Sequence, residues 1–146
     1  MFRGNALTKL DPKGRLKIPQ AFRRELQQEH GAKLYVTSLT GQSVWIYPFD
    51  VWVAMEERIA RHSSIHESVN KLLTRTSYFG QVTEMDAQGR VVIQPVLRES
   101  ARMEGEVAVL GNLTHLEIWN NQLFREKLRN EPLTSEDRKL LAELGL

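Results

Sequence analysis

There is no cysteine among the 146 residues. That excludes disulfides, thiolate-bound zinc and cysteine nucleophiles together, and it is compatible with a reducing cytosol. Long hydrophobic runs are missing too; none approaches the ~20 residues a membrane helix needs, so no membrane partner is expected. No charged-then-apolar leader precedes the patterned sequence that begins at Met1-Phe2-Arg3-Gly4, and the protein is expected to stay in the cytoplasm. A Gly-rich phosphate loop, a Ser-centred elbow and a zinc-protease helix are all absent. His62 and His66 share a predicted helix one turn apart, but no Cys or third His lies nearby, while His30 and His115 have no partner in sequence. We therefore expect no metal, no cofactor and no enzymatic activity.

What is present is ordinary in amount and unusual in arrangement. Hydrophobic residues make up 41% and charged residues 26%, the range of soluble globular proteins. The length suits one domain or two half-sized units sharing a core. The net charge is only +2, yet between Met1 and Arg24 it is concentrated: Arg3, Lys9, Lys13, Arg15, Lys17, Arg23 and Arg24 stand against Asp11 alone. From Phe79 to Arg102 the cations Arg90, Arg98 and Arg102 are balanced by Glu84, Asp86 and Glu99. A positive patch confined to one part of the chain suits a polyanion.

That patch contains a motif that occurs twice. Leu10-Asp11-Pro12-Lys13-Gly14-Arg15-Leu16-Lys17-Ile18-Pro19 is echoed by Met85-Asp86-Ala87-Gln88-Gly89-Arg90-Val91-Val92-Ile93-Gln94. In both, Asp opens the turn after an apolar residue and Gly occupies the fourth place counted from that Asp, the composition of a type I β-turn, with Pro12 pre-set for the second place in the first copy. Leu16 and Ile18, or Val91 and Ile93, then alternate with outward residues at the period of a strand. Arg15 and Lys17 fall on the outer side.

Read in order, the chain predicts strands over Asn5 to Leu10 and Arg15 to Ile18, then a helix after Pro19 that sets Phe22 over Leu26 and ends at Gly31. Strands at Leu34 to Thr37 and Val44 to Tyr47 close a β-β-α-β-β unit. Helical period follows from Asp50, with Trp52, Met55 and Ile59 on one stripe; Ser64-Ile65-His66-Glu67 has capping-box spacing ahead of Val69, Leu72, Leu73 and Thr76. The plan repeats with strands at Gln81 to Met85, Arg90 to Ile93, Val107 to Leu110 and Leu116 to Trp119, and a helix over Pro95 to Ala101. Trp52 and Phe124 fall at equivalent places, so the duplication runs to about residue 128. Thr134-Ser135-Glu136-Asp137 caps a last helix with Leu140, Leu141 and Leu144, which has no obvious core position.

Two readings of each motif arginine stand side by side. Arg15 and Arg90 either fold back on Asp11 and Asp86 to stiffen the turn, or project outward with Lys13, Lys17 and Arg3, offering fork-shaped donors to phosphate or guanine edges. The surrounding positive charge favours DNA contact for Arg15. Asp11 and Asp86 are read as structural, accepting local backbone N–H groups, rather than as an acid/base pair.

Met1-Phe2-Arg3-Gly4 with the two Asp-x-x-x-Arg motifs closely resembles the MraZ family of bacterial transcriptional regulators, over nearly the whole chain. The resemblance implies an α+β, mainly β fold of two AbrB-like swapped-hairpin units interleaved as a pseudo-twofold barrel: repeat 1 over 5–48, a helical connector over 49–77, repeat 2 over 78–121 and a C-terminal helical tail over 122–146. It also implies a ring-shaped homo-oligomer, commonly an octamer. Its partner would be double-stranded DNA carrying short direct repeats upstream of the cell-division and cell-wall gene cluster, bound at the nucleoid with repression as the outcome. Carried onto this sequence, the DNA-binding set is Arg3, Lys9, Lys13, Gly14, Arg15, Lys17 and Arg90, with Asp11, Pro12, Asp86 and Gly89 as structural turn residues. Gln88 replaces Lys13 in the second copy, a departure that separates the two repeats. The competing reading is an antitoxin-like protein-interaction module of the same fold, whose tail captures a partner protein.

Overall fold

The computed structural model describes residues 1–62 and 66–146. Its elements run β1 (Phe2–Lys9), β2 (Arg15–Lys17), α1 (Gln20–Glu29), β3 (Lys33–Thr37), β4 (Val44–Pro48), α2 (Phe49–Ala60), α3 (Glu67–Tyr78), β5 (Gln81–Glu84), β6 (Arg90–Val92), α4 (Pro95–Ser100), β7 (Glu106–Leu113), β8 (His115–Asn120), α5 (Asn121–Asn130) and α6 (Ser135–Glu143). The fold is thus mixed α and β, with its strands in antiparallel ladders.

Partner choice among the strands is non-local. Six strands form one sheet in the order β1-β7-β8-β4-β3-β5, and β2 pairs with β6 in a separate two-stranded ladder. Exchanging each strand for its counterpart in the other repeat reverses the sheet order onto itself. The registers obey the same exchange: Leu16 lies opposite its equivalent Val91, and Trp45 opposite its equivalent Glu117. A pseudo-twofold axis therefore passes through those two pairs. The symmetry is broken at the sheet edges, where β1 pairs with β7 from Phe2↔Leu113 to Lys9↔Glu106, but β5 pairs with β3 only from Gln81↔Val36 to Glu84↔Lys33. The cause is α3, which delivers the chain to β5 late and docks on β3, its Thr76 carbonyl accepting from the Tyr35 hydroxyl at 2.9 Å and the Thr37 hydroxyl at 2.7 Å.

One core joins both repeats. Leu34, Val36, Val44, Ile46, Val107, Val109, Leu116 and Ile118 alternate along the central strands and are all at most 1% exposed. They meet Leu16 and Val91 from the small ladder, Ile18 and Ile93 just after its strands, Phe22 and Leu26 from α1, and Leu97 from α4. The opposite face of the sheet carries aromatics that α2 and α5 cover: Trp52 stacks on Tyr35 at 4.6 Å, and Phe124 lies 5.3 Å from Trp119.

The structure departs from the sequence expectations mainly at element ends. β1 begins at Phe2 rather than Asn5, and β7 extends to Leu113 rather than Leu110, because each supplies the other's ladder. Ser64, on which the expected capping box rested, lies outside the described residues; α3 starts at Glu67, and His66 before it makes no side-chain cap bond. The final helix is capped as its sequence indicated, with Thr134 accepting from the Asp137 N–H and Asp137 from the Thr134 N–H. Leu140 and Leu144 on it are exposed.

Candidate nucleic-acid interface

Both motif turns close identically. The Gly14 N–H donates to the Asp11 carbonyl and the Asp11 N–H to the Arg15 carbonyl, each at 2.9 Å; Gly89, Asp86 and Arg90 repeat this at 3.0 Å. Gly14 and Gly89 sit at φ +78° and +77°, a left-handed bulge that only glycine enters without strain. The Asp11 carboxylate accepts from the backbone N–H groups of Lys13 and Arg15 at 2.9 Å and from Arg15 Nε at 2.5 Å. Asp86 does the same with Gln88, Arg90 and Arg90 Nε, at 2.9, 2.8 and 2.9 Å. The backbone N–H of the motif arginine is the largest cause holding each carboxyl below its ordinary value, joined by the arginine's side chain and opposed by partial burial.

Each arginine therefore does fold back on its own aspartate. This leaves the outward role open, because only Nε is engaged: among the described residues no further hydrogen bond occupies the Arg15 guanidinium. Its terminal nitrogens form a fork whose geometry matches phosphate or a guanine edge.

The small ladder then brings the two motifs together. Lys17 stands directly opposite Arg90, and Arg15 opposite Val92, with Leu16 and Val91 turned into the core. Lys9, Asp11, Arg15, Lys17, Gln88 and Arg90 line one open groove of about 480 Å³. Four cations share it with the carboxylate of Asp11, and that carboxylate is already satisfied by the turn. Like charges directly opposite on a ladder oppose strand pairing; Asp86 offsets this in part at Arg90, while no carboxylate within the described residues pairs with Lys17. The positive character comes mainly from the first repeat: Lys9, Lys13 and Lys17 have Glu84, Gln88 and Val92 as their counterparts.

Not every expected residue enters this groove. Lys13 is exposed at the turn tip, and Pro12 and Gly14 shape that tip. Arg3 is exposed near the start of β1, opposite Asn112, six residues or roughly 20 Å along the strand from Lys9. Gln88, singled out from the sequence only as a departure, lines the groove. Among the described residues no three His, Cys, Asp or Glu side chains gather as a metal site. His30 bonds Asp50 at 2.9 Å, and His115 is buried against Tyr47, ring centres 4.4 Å apart. No described helix is long and apolar enough to cross a membrane.

The sequence model of the family described as "MraZ protein, putative antitoxin-like" matches residues 1–75 and 81–142. A protein of Acidobacterium capsulatum named transcriptional regulator MraZ is 42% identical over 146 residues, and one of the same name from Koribacter versatilis is 43% identical over 147 residues; both alignments cover all of each chain. A Shewanella baltica protein of that name is 29% identical over 154 residues, again end to end. The duplicated fold and its relatives define a transcriptional regulator. The chain belongs to the MraZ family.

Proposed function

We propose that this protein is a sequence-specific DNA-binding repressor, which recognises short direct repeats upstream of its own cell-division and cell-wall gene cluster through the groove between its two motif turns. The observation that carries this reading is the convergence of Lys9, Arg15, Lys17 and Arg90 on one groove, where their mutual repulsion is only partly offset by the turn carboxylates Asp11 and Asp86. A polyanion converts that repulsion into attraction and releases counterions as it binds. In this reading Arg15 and Lys13 contact the duplex, Lys9, Lys17 and Arg90 position it, and Arg3 contacts it further along. The two repeats, 5–48 and 78–121, act as AbrB-like swapped-hairpin units, joined by the connector 49–77 and followed by the tail 122–146. A ring of subunits, an octamer by family resemblance, meets successive repeats at high effective concentration, so avidity supplements modest single contacts. Such a protein works in the cytoplasm, on the nucleoid.

The test is a titration at fixed salt against a labelled duplex spanning the region upstream of its own gene. Arg15→Ala is expected to weaken binding by about 1–3 kcal/mol and to lower the salt slope by about one, with the oligomer intact. Unchanged affinity would remove Arg15 from the interface.

A second reading, the antitoxin-like interaction module, draws support from the exposed Leu140 and Leu144 of α6 and from the family's description. Truncation before Thr134 discriminates: a repressor keeps its DNA affinity, whereas an antitoxin loses a bound protein partner.

A further inference from the structure

The side chains that brace the two turns come from the opposite repeats. Arg23, on α1, reaches across to the second turn and donates to two consecutive carbonyls, Nη2 to Ala87 at 2.8 Å and Nη1 to Gln88 at 3.2 Å. Arg98 holds the equivalent place on α4, and its guanidinium lies against the first turn. A Cβ added to Gly14 would stand 1.3 Å from Arg98 Nη1, and one added to Gly89 would stand 2.7 Å from Arg23 Cδ. Both glycines are buried, although each lies in an otherwise exposed turn. Backbone bonds cross in the same sense: the Ile18 N–H donates to the Gly89 carbonyl and the Ile93 N–H to the Gly14 carbonyl, both at 2.9 Å. Each turn is thus held between a strand and a helix arginine of the other repeat.

We propose that Arg23 and Arg98 are positioning residues that lock the two motif turns into one rigid DNA-facing unit, each arginine fixing the turn of the opposite repeat. Its consequence for binding rests on the DNA-binding reading above; the mechanical coupling does not. A guanidinium is suited to the task because its fork meets two carbonyls at once, which a lysine ammonium cannot do in a fixed plane. The arrangement also explains why the second turn can serve the groove without a lysine at its tip: what its partner repeat supplies is placement, and Gln88 and Arg90 are held where Lys9, Arg15 and Lys17 already converge.

The experiment combines hydrogen exchange with DNA titration on full-length Arg23→Ala, Arg98→Ala and Arg23→Lys. Arg23→Ala is expected to speed exchange about tenfold in the peptide covering residues 86–90 while leaving 11–15 unchanged, since an anchoring hydrogen-bond pair governs local opening. Arg98→Ala, which removes a guanidinium packed on Gly14 rather than a hydrogen-bond pair, is expected to speed exchange in 11–15 by a smaller factor while leaving 86–90 unchanged. Arg23→Lys, which keeps the charge and gives up the paired donors, follows Arg23→Ala at smaller amplitude. Against the labelled upstream duplex, Arg90→Ala costs less affinity in the Arg23→Ala background than in the wild type, because the two act through one turn. Exchange that rises in each variant's own repeat, or in neither turn, overturns the coupling. Crossed exchange accompanied by additive losses of affinity overturns its role in DNA binding and makes Arg23 a direct contact. Crossed exchange in a wild-type chain that binds no duplex overturns the DNA-binding reading instead.

Discussion

At Asp11 a single carboxylate does three tasks: it accepts two backbone N–H groups, turns the chain, and holds Arg15 by its Nε. The arginine is stiffened without being consumed, which lowers the entropy lost when its outer nitrogens meet an acceptor. Asp86 does the same for Arg90. Because both carboxyls are held below their ordinary value, the unfolded chain takes up protons first as the solution is acidified. The stability they contribute is full above about pH 4 and is lost as pH falls through their folded values. Thermal melts should show Tm dropping below pH 4, and the double variant Asp11→Asn, Asp86→Asn should show a shallower drop. His115 has the opposite chemistry with the same sign. Burial pushes its pKa down, partly offset by Glu117, so the folded state prefers the neutral ring and stability declines as pH falls from about 6.5. His115→Gln should flatten the Tm profile between pH 6.5 and 5.

Among the elements, the two-stranded ladder of β2 and β6 carries most of the meaning, though it is the smallest. Its inner residues Leu16 and Val91 are fully buried on the pseudo-twofold axis, while its outer residues set Lys17 against Arg90. Substituting Lys17→Val copies the residue that the second repeat uses at that place, Val92. We expect a gain of about 0.2–1 kcal/mol in urea unfolding, from relief of the like-charge pair, together with weaker DNA binding. A variant that loses stability would show that the pair does not repel as placed.

The sequence disclosed much of this ladder and not all of it. Asp11, Pro12 and Gly14 announce the turn because their preferences are local, as do the cap of Thr134 and Asp137 and the stacking of Phe22 over Leu26 in α1. The divergence of Lys9, Lys13 and Lys17 from Glu84, Gln88 and Val92 is likewise plain in the linear chain. The meeting of Lys17 with Arg90 is not, since it depends on which strand β2 chooses as partner, a contact that crosses from one repeat to the other over the whole connector. The bracing by Arg23 and Arg98 escaped for the same reason: on a helical wheel both are merely outward-facing charges, and only their equivalent places in the two repeats offered a signal. The start of β1 is not legible in the sequence because Arg3 to Asn5 lack strand character and take it from their pairing with β7.

At the scale of the whole molecule, the duplication supplies an intramolecular dimer. One core, one axis and two unlike turns let the first repeat collect charge while the second keeps geometry, a division that two identical chains could not make. Under the proposed DNA-binding function, that asymmetry gives the molecule a direction on the duplex, which suits direct rather than inverted repeats. The exposed leucines of α6 lie outside the shared core.

The most direct measurement is footprinting of the purified protein on the DNA upstream of its own gene. Protection of several short direct repeats spaced by about one helical turn, ~10 base pairs, is expected, and is lost at the same protein concentration with Arg15→Ala. Absence of protection by a folded wild-type chain, or equal protection of unrelated duplex, would contradict the DNA-binding reading.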